Sequence, residues 1–202
     1  MLPQPIQSLI NQFTKFPSVG PRQAARFVFH LLKRPEKDIK EFAQALIALK
    51  ETSHCLLCYR SIEKTEPPLL CSICKNNKRD KTVICIVEKD TDIEAIEKTK
   101  RYNGLYHVLG LSETSFLDQG FRKLAHLDNL INRIKKSKDI KEIIIATSAT
   151  TNGDTLSLYI SRLLKPYSEN IKITRLGRGL STGSELEYMD DETLTNAFLN
   201  RK

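Results

Sequence analysis

A chain of 202 residues with 32 lysines and arginines against 24 acids carries a formal net charge of +8, which points to an anionic partner. Its 40% hydrophobic and 28% charged residues suit one large or two small globular domains and exclude a disordered or low-complexity chain. No apolar run reaches the roughly 20 residues of a membrane span, and no charged segment precedes an apolar one at the start, so the expected location is cytoplasmic.

The basic charge is concentrated at the front. Residues 1–35 hold Lys15, Arg22, Arg26, Lys33 and Arg34 and no acid, whereas the tail from residue 176 holds three bases against five acids. Ile6, Leu9, Ile10 and Phe13 are spaced as one face of a short helix. Phe16-Pro17-Ser18-Val19-Gly20-Pro21 must then turn, because the prolines fix their own backbone angles and Gly20 is free to adopt conformations closed to other residues. Pro21 suits the first position of a second helix, continued by Ala24, Ala25, Val28, Leu31 and Leu32. Helix, tight hairpin and helix together resemble the helix-hairpin-helix DNA-binding motif, in which backbone N–H groups face a phosphate. Arg22 and Arg26, four apart on one face, are the leading phosphate contacts, with Gly20 in the hairpin and Lys15 before it. The competing reading is a merely solvated helix face. Ser18 stands where the motif usually has its first glycine. A third helix, with Ile39, Phe42, Ala43, Leu46 and Leu49 as its apolar stripe, is expected to complete the core of this small domain.

Cys55-Leu56-Leu57-Cys58 is followed, after twelve residues, by Cys71-Ser72-Ile73-Cys74. Two such pairs bring four thiolates to one tetrahedral Zn²⁺, and four sulfur ligands leave no open position, so the ion is structural, one per chain. Disulfides or idle thiols are the alternatives, disfavoured in a reducing compartment. His54, directly before Cys55, is the alternative that could substitute as a ligand, and His30 on its apolar helix is a weaker one. Cys85, inside Val83-Ile84-Cys85-Ile86-Val87, reads as a buried core residue.

Beyond the cysteines the rhythm changes to alternating strands and helices. Strands are expected at 83–87, 105–109, 142–147 and 171–174. A polar helix carries Ile93 and Ile96, a second carries Leu124, Leu127, Leu130, Ile131 and Ile134, and a third runs over 154–164. That alternation implies a mostly parallel sheet covered on both faces, with functional residues at the carboxyl ends of its strands. Those ends are Glu88 and Ser148-Ala149-Thr150-Thr151-Asn152-Gly153-Asp154. They resemble the Toprim domain of topoisomerases, primases and some nucleases, whose catalytic members gather a glutamate and an Asp-x-Asp-x-Asp-Gly-like run around Mg²⁺. Glu88 fits the first element. Ser148, Thr150 and Asn152 stand where the acids belong, so a catalytic metal site is not expected, and no phosphate loop of the P-loop ATPases occurs.

The order of modules is that of an α/β chain with small accessory units: a helix-hairpin-helix over 1–53, a four-cysteine zinc finger over 54–80, a Toprim-like, mostly parallel α/β domain over 81–175 and a short tail over 176–202. This order resembles the RecR family of bacterial recombination mediators. The residues that carry the resemblance are Phe16 to Arg26, Cys71-Ser72-Ile73-Cys74 with Arg79-Asp80, Tyr106-His107-Val108-Leu109-Gly110 and Leu186-Glu187-Tyr188-Met189-Asp190. The loop between the cysteine pairs is longer than usual, Asn152 stands where the family commonly has glutamate, and Ser181 where it commonly has proline. The resemblance implies a non-enzymatic, DNA-binding role in recombinational repair. It also implies a ring-like, tetrameric homo-oligomer acting with RecO and RecF to load RecA on single-stranded DNA. Glu88 and Asp154 are the candidate partner-binding residues. A metal-dependent Toprim nuclease or primase is the alternative.

Overall fold

The computed structural model describes residues 2–64, 67–110, 126–137 and 139–201. It divides into two compact units, Met1–Thr52 and Ser53–Lys202.

In the first unit, α1 (Gln4–Phe13) and α2 (Pro21–Leu31) pack against each other, each with a proline in its first turn, where a missing N–H costs nothing. Ile10, Ala24 and Val28 are buried between them, with Ile6, Phe13, Val19 and Ala25 packed alongside. The connecting turn closes through Phe16 N–H on the Phe13 carbonyl and Val19 N–H on the Phe16 carbonyl. The left-handed residue of this turn is Ser18, at φ 60°. Gly20 lies in ordinary extended backbone, φ −81° and ψ 170°, so the conformational freedom expected of it is not used. The third helix, α3 (Glu36–Ala48), forms as its periodicity predicts, but it contains no buried residue. Its stripe remains open, with Phe42 41% and Leu46 48% exposed, and it therefore does not supply the core expected of it. The reason is geometric: α1 and α2 already close the small core on each other.

The chain enters the second unit along β1 (Thr52–His54), which forms a two-stranded ribbon with β2 (Ser61–Glu63) around the first cysteine pair. A one-turn helix α4 (Ser72–Lys75) carries the second pair. Then follow β3 (Asp80–Val87), α5 (Asp90–Lys98), β4 (Gly104–Val108), α6 (Leu127–Lys136), β5 (Glu142–Ala146), α7 (Thr151–Leu164), β6 (Lys172–Arg175) and α8 (Asp191–Leu199). The last four strands form one sheet in the order β4-β3-β5-β6 with every neighbour parallel. Leu124, expected to begin the helix of Leu127, lies outside the described residues.

Strand alternation sorts the core into two layers. Ile84, Ile86, Ile143 and Ile145 pack with Leu130, Ile134, Leu156, Ile160 and Leu164 of α6 and α7. Cys85, Val87 and Ala146 pack instead with Ile93 of α5 and with Cys55, Cys58, Cys71 and Ile73. The cysteine module thus shares the apolar layer on one face of the sheet. Burial pushes the Cys85 thiol up to about 12, which keeps it neutral and unreactive.

Candidate metal centre, hairpin and sheet-end site

Two tight turns bring the cysteines together. Tyr59 N–H bonds the Cys55 carbonyl at 2.9 Å, with Tyr59 itself left-handed at φ 63°, and Cys55 N–H bonds the Arg60 carbonyl at 2.8 Å. In the second knuckle the Cys71 sulfur accepts the Cys74 N–H at 3.4 Å. All four sulfurs lie within 4.8 Å of one another, Cys55, Cys58 and Cys71 are buried, and the Cys58 and Cys71 sulfurs are 3.5 Å apart. With metal–sulfur bonds of about 2.3 Å, a tetrahedral site needs sulfurs roughly 3.8 Å apart, so the set fits a metal ion. Without a cation the four cannot all ionise: hydrogen bonding between Cys55 and Cys58 drives the Cys55 thiol down and the Cys58 thiol up. A divalent ion removes that conflict by taking four thiolates. Among the described residues the cluster consists of the four cysteines. His54 is exposed, its ring 6.1 Å from that of His126.

Arg133 of α6, which carried no sequence signal, anchors this module to the sheet. Its guanidinium donates to the Leu57 carbonyl at 3.1 Å and to the Tyr106 carbonyl at 2.7 Å. Arg79 has a similar part at the exit of the second knuckle. It is paired with Glu97 of α5, whose Oε1 also accepts the Tyr106 hydroxyl at 2.6 Å. The Arg79 hydrogen bonds hold the Glu97 carboxyl below the usual range.

In the hairpin, Arg22 is exposed and Arg26 lies one turn further along α2, with Lys15 and Gly20 exposed ahead of them. The Lys15 ammonium donates to Gln12 Oε1 at 3.0 Å. A Cβ built on Gly20 would meet nothing within 4 Å, so the backbone at the start of α2 faces open space. The first N–H groups of that helix have no partner within it.

At the carboxyl ends of β3 and β5 the two acids are engaged within the chain. Glu88 Oε1 accepts the backbone N–H of Ser148 at 2.6 Å. Asp154 is ion-paired with both Arg178 and Arg175, and hydrogen bonds from Arg178 first and Arg175 second hold its carboxyl below the usual range. Arg178 also reaches Glu192 of α8 at 3.4 Å, and its carbonyl accepts from Asn200 at 3.0 Å. Thr150, one of the three neutral residues of this loop, caps α7 by accepting Gly153 N–H at 3.2 Å. That cap places the helix start at Thr151, three residues ahead of the expected Asp154. A Cβ on Gly153 would lie 2.0 Å from the Ser148 carbonyl oxygen, so only glycine allows this loop to close.

No helix among the described residues is long and apolar enough to cross a membrane. Residues 6–50 match the family model described as "RecR, helix-hairpin-helix", residues 82–177 that of the Toprim domain, and residues 179–202 that of "RecR, C-terminal". The chain is 42% identical over 200 residues to the recombination protein RecR of Staphylococcus saprophyticus, covering 98% of this chain and 97% of that protein. The RecR proteins of Staphylococcus haemolyticus and Staphylococcus aureus match with the same identity and coverage. Hairpin, cysteine cluster, parallel Toprim sheet and tail thus occur here in one chain alongside full-length similarity, and the chain belongs to the RecR family of recombination proteins.

Proposed function

We propose that this chain is a DNA-binding recombination mediator that acts in repair of gaps and breaks without catalysing a reaction. The observation that carries the reading is the start of α2, where Arg22, Arg26 and the open backbone at Gly20 lie close together in the chain at an exposed helix start. Guanidiniums and orphan N–H groups at a helix start suit phosphate oxygens. Lys15 adds a further cation at the hairpin's entrance. In this reading the modules occupy segments 1–53, 54–80, 81–175 and 176–202.

The metal is Zn²⁺, one per chain, held by Cys55, Cys58, Cys71 and Cys74. Four soft sulfurs select it, and the closed set gives it a structural role. A non-enzymatic role is supported by the engagement of Glu88 and Asp154 and by the neutral side chains of Ser148, Thr150 and Asn152. A Mg²⁺ ion needs carboxylates that are free to bind it.

The chain works as a homo-oligomer, a tetrameric ring around DNA, with RecO and RecF as partners in loading RecA onto single strands in the cytoplasm. The uncovered stripe of α3 supports self-association, because Phe42, Leu46 and Leu49 would otherwise stay in water. Glu88 and Asp154 shape a partner surface by ordering residues 148–154 rather than by offering free charge. The test is the solution mass with and without single-stranded DNA, together with DNA affinity of the Arg22→Ala/Arg26→Ala double variant over a range of salt. A monomeric mass, or unchanged affinity and salt dependence in the variant, would overturn the corresponding part.

A further inference from the structure

The carboxyl ends of the strands bear the Toprim signature, and the opposite edge of the sheet carries a feature that signature does not explain. Because β4, β3, β5 and β6 are all parallel, their amino ends lie along one edge. Lys81 lies at the start of β3, Lys141 directly before β5 and Lys172 at the start of β6. Backbone bonds bring the three strand starts together at successive levels of this edge: Lys141 N–H bonds the carbonyl of Thr82, the residue after Lys81, at 2.8 Å, and Lys172, paired with Glu142, bonds the Lys141 carbonyl through its N–H at 2.8 Å. Asp80 N–H bonds the Asn103 carbonyl at 2.9 Å, which adds the end of α5 with Lys98 and the loop into β4 with Lys100 and Arg101 to the same edge.

All six cations are exposed, and among the described residues none forms an ion pair. The neighbouring acids offset this charge only in part. Asp80, which also feels the charge of Lys141, accepts the Thr82 N–H and hydroxyl at 2.8 and 2.7 Å, and Glu142 accepts the Thr174 hydroxyl at 2.8 Å; with Asp139 and Glu169 they set four acids against the six cations.

We propose that the amino-terminal edge of the parallel sheet is a second nucleic-acid backbone surface, separate from the hairpin of the first unit. Four strands spaced about 4.8 Å apart make a row of roughly 14 Å. That length matches about four phosphates of one duplex strand, at about 3.4 Å of axis each. A protein partner is the weaker match, since such interfaces centre on buried aromatic and apolar anchors, and none of the large exposed hydrophobic residues lies in segments 80–82, 98–103, 139–142 or 170–172. The inference rests on the reading that the chain binds DNA, but on no particular hairpin residue.

The experiment compares the full-length protein with a Lys81→Gln/Lys141→Gln/Lys172→Gln variant on duplex and single-stranded DNA of unrelated sequence between about 50 and 200 mM salt. Three lost contacts flatten the log–log slope on duplex by about 2.7, so the parent's fall in affinity over that range shrinks about 40-fold. A Lys98→Gln/Lys100→Gln/Arg101→Gln variant, altered at the end of α5 and in the loop after it, provides the same reading if the first does not fold. Metal content and solution mass serve as controls on both. Parental affinity and slope in the loop variant, while Arg22→Ala/Arg26→Ala weakens binding, would overturn the second surface and leave the hairpin reading standing. A parent that binds no DNA would overturn both. Loss of binding to an oligoglutamate probe with DNA binding unchanged would overturn it too, and assign the edge to an acidic protein instead.

Discussion

The Glu88 carboxylate accepts the Ser148 backbone N–H at 2.6 Å, which ties the carboxyl end of β3 to that of β5. In a catalytic Toprim site those two positions would both face a divalent ion. Here one is a donor and the other its acceptor, so the pair closes on itself. Homogeneous protein incubated with DNA and Mg²⁺ or Mn²⁺ is expected to give no cleavage, relaxation or primer synthesis. An activity that disappears in Glu88→Ala would contradict this.

The cysteine cluster shares an apolar layer with the sheet, so losing the metal should affect more than the two knuckles. Cys58→Ser or Cys71→Ser is expected to lower bound zinc below one per chain and the unfolding temperature by about 10 °C or more, because structural zinc binding is coupled to folding. Elemental analysis and thermal unfolding monitored on residues of the sheet would check it. Full zinc occupancy with an unchanged transition would remove the assignment.

Ser18 and Gly20 offer a paired test of the hairpin. Ser18 is held at φ 60°, where a side chain is strained, so Ser18→Gly is expected to stabilise the first unit by up to about 1 kcal/mol. Gly20 has ordinary angles and open space, so Gly20→Ala should keep or slightly raise stability. A methyl group there would nevertheless obstruct a phosphate approaching the start of α2. Weakened DNA binding with intact stability is the expected result, measured by denaturant unfolding and by titration with DNA.

His107 is fully buried on β4, and its Nε2 meets the His126 carbonyl at 2.9 Å. Burial pushes its pKa down to about 3 from an ordinary 6.5. The unfolded chain therefore takes up a proton that the folded one refuses, so stability is full above about pH 6.5 and falls as the pH drops toward 3. At about pH 5 the loss is about 2 kcal/mol. Urea unfolding at about pH 7 and pH 5 should show it in the parent and show less in His107→Gln, and equal losses would assign the effect to other groups.

Much of the fold could be read from local pattern. The β-branched runs around Ile84, Ile144 and Ile173 specify strands because each is bounded by polar or turn residues, and the Cys-x-x-Cys spacings specify the metal cluster because the knuckle is a local structure. The burial of α3 could not be read in this way: an apolar stripe states that a face wants cover, not what covers it. Arg133, 76 residues from Leu57 in sequence, and Glu88, 60 residues from Ser148, make contacts that depend on sheet order, which no local pattern encodes. The start of α7 differs from expectation for another reason. Its hydroxyl-rich approach looks like loop until the Thr150 side chain is seen to cap the helix.

The grip of Arg133 on both the Leu57 and Tyr106 carbonyls bears on how this chain could be dissected. A zinc finger is often treated as a portable cassette, to be cut out and grafted elsewhere. Here excision after Arg79 would strip the apolar lid from Cys85, Val87 and Tyr106 and leave one guanidinium holding half of its former cargo. The excised peptide would in turn lose the wall against which its knuckles are folded. Neither fragment is a sound unit for biochemistry, and the smallest faithful piece of the second unit begins before Cys55 and runs through the whole sheet.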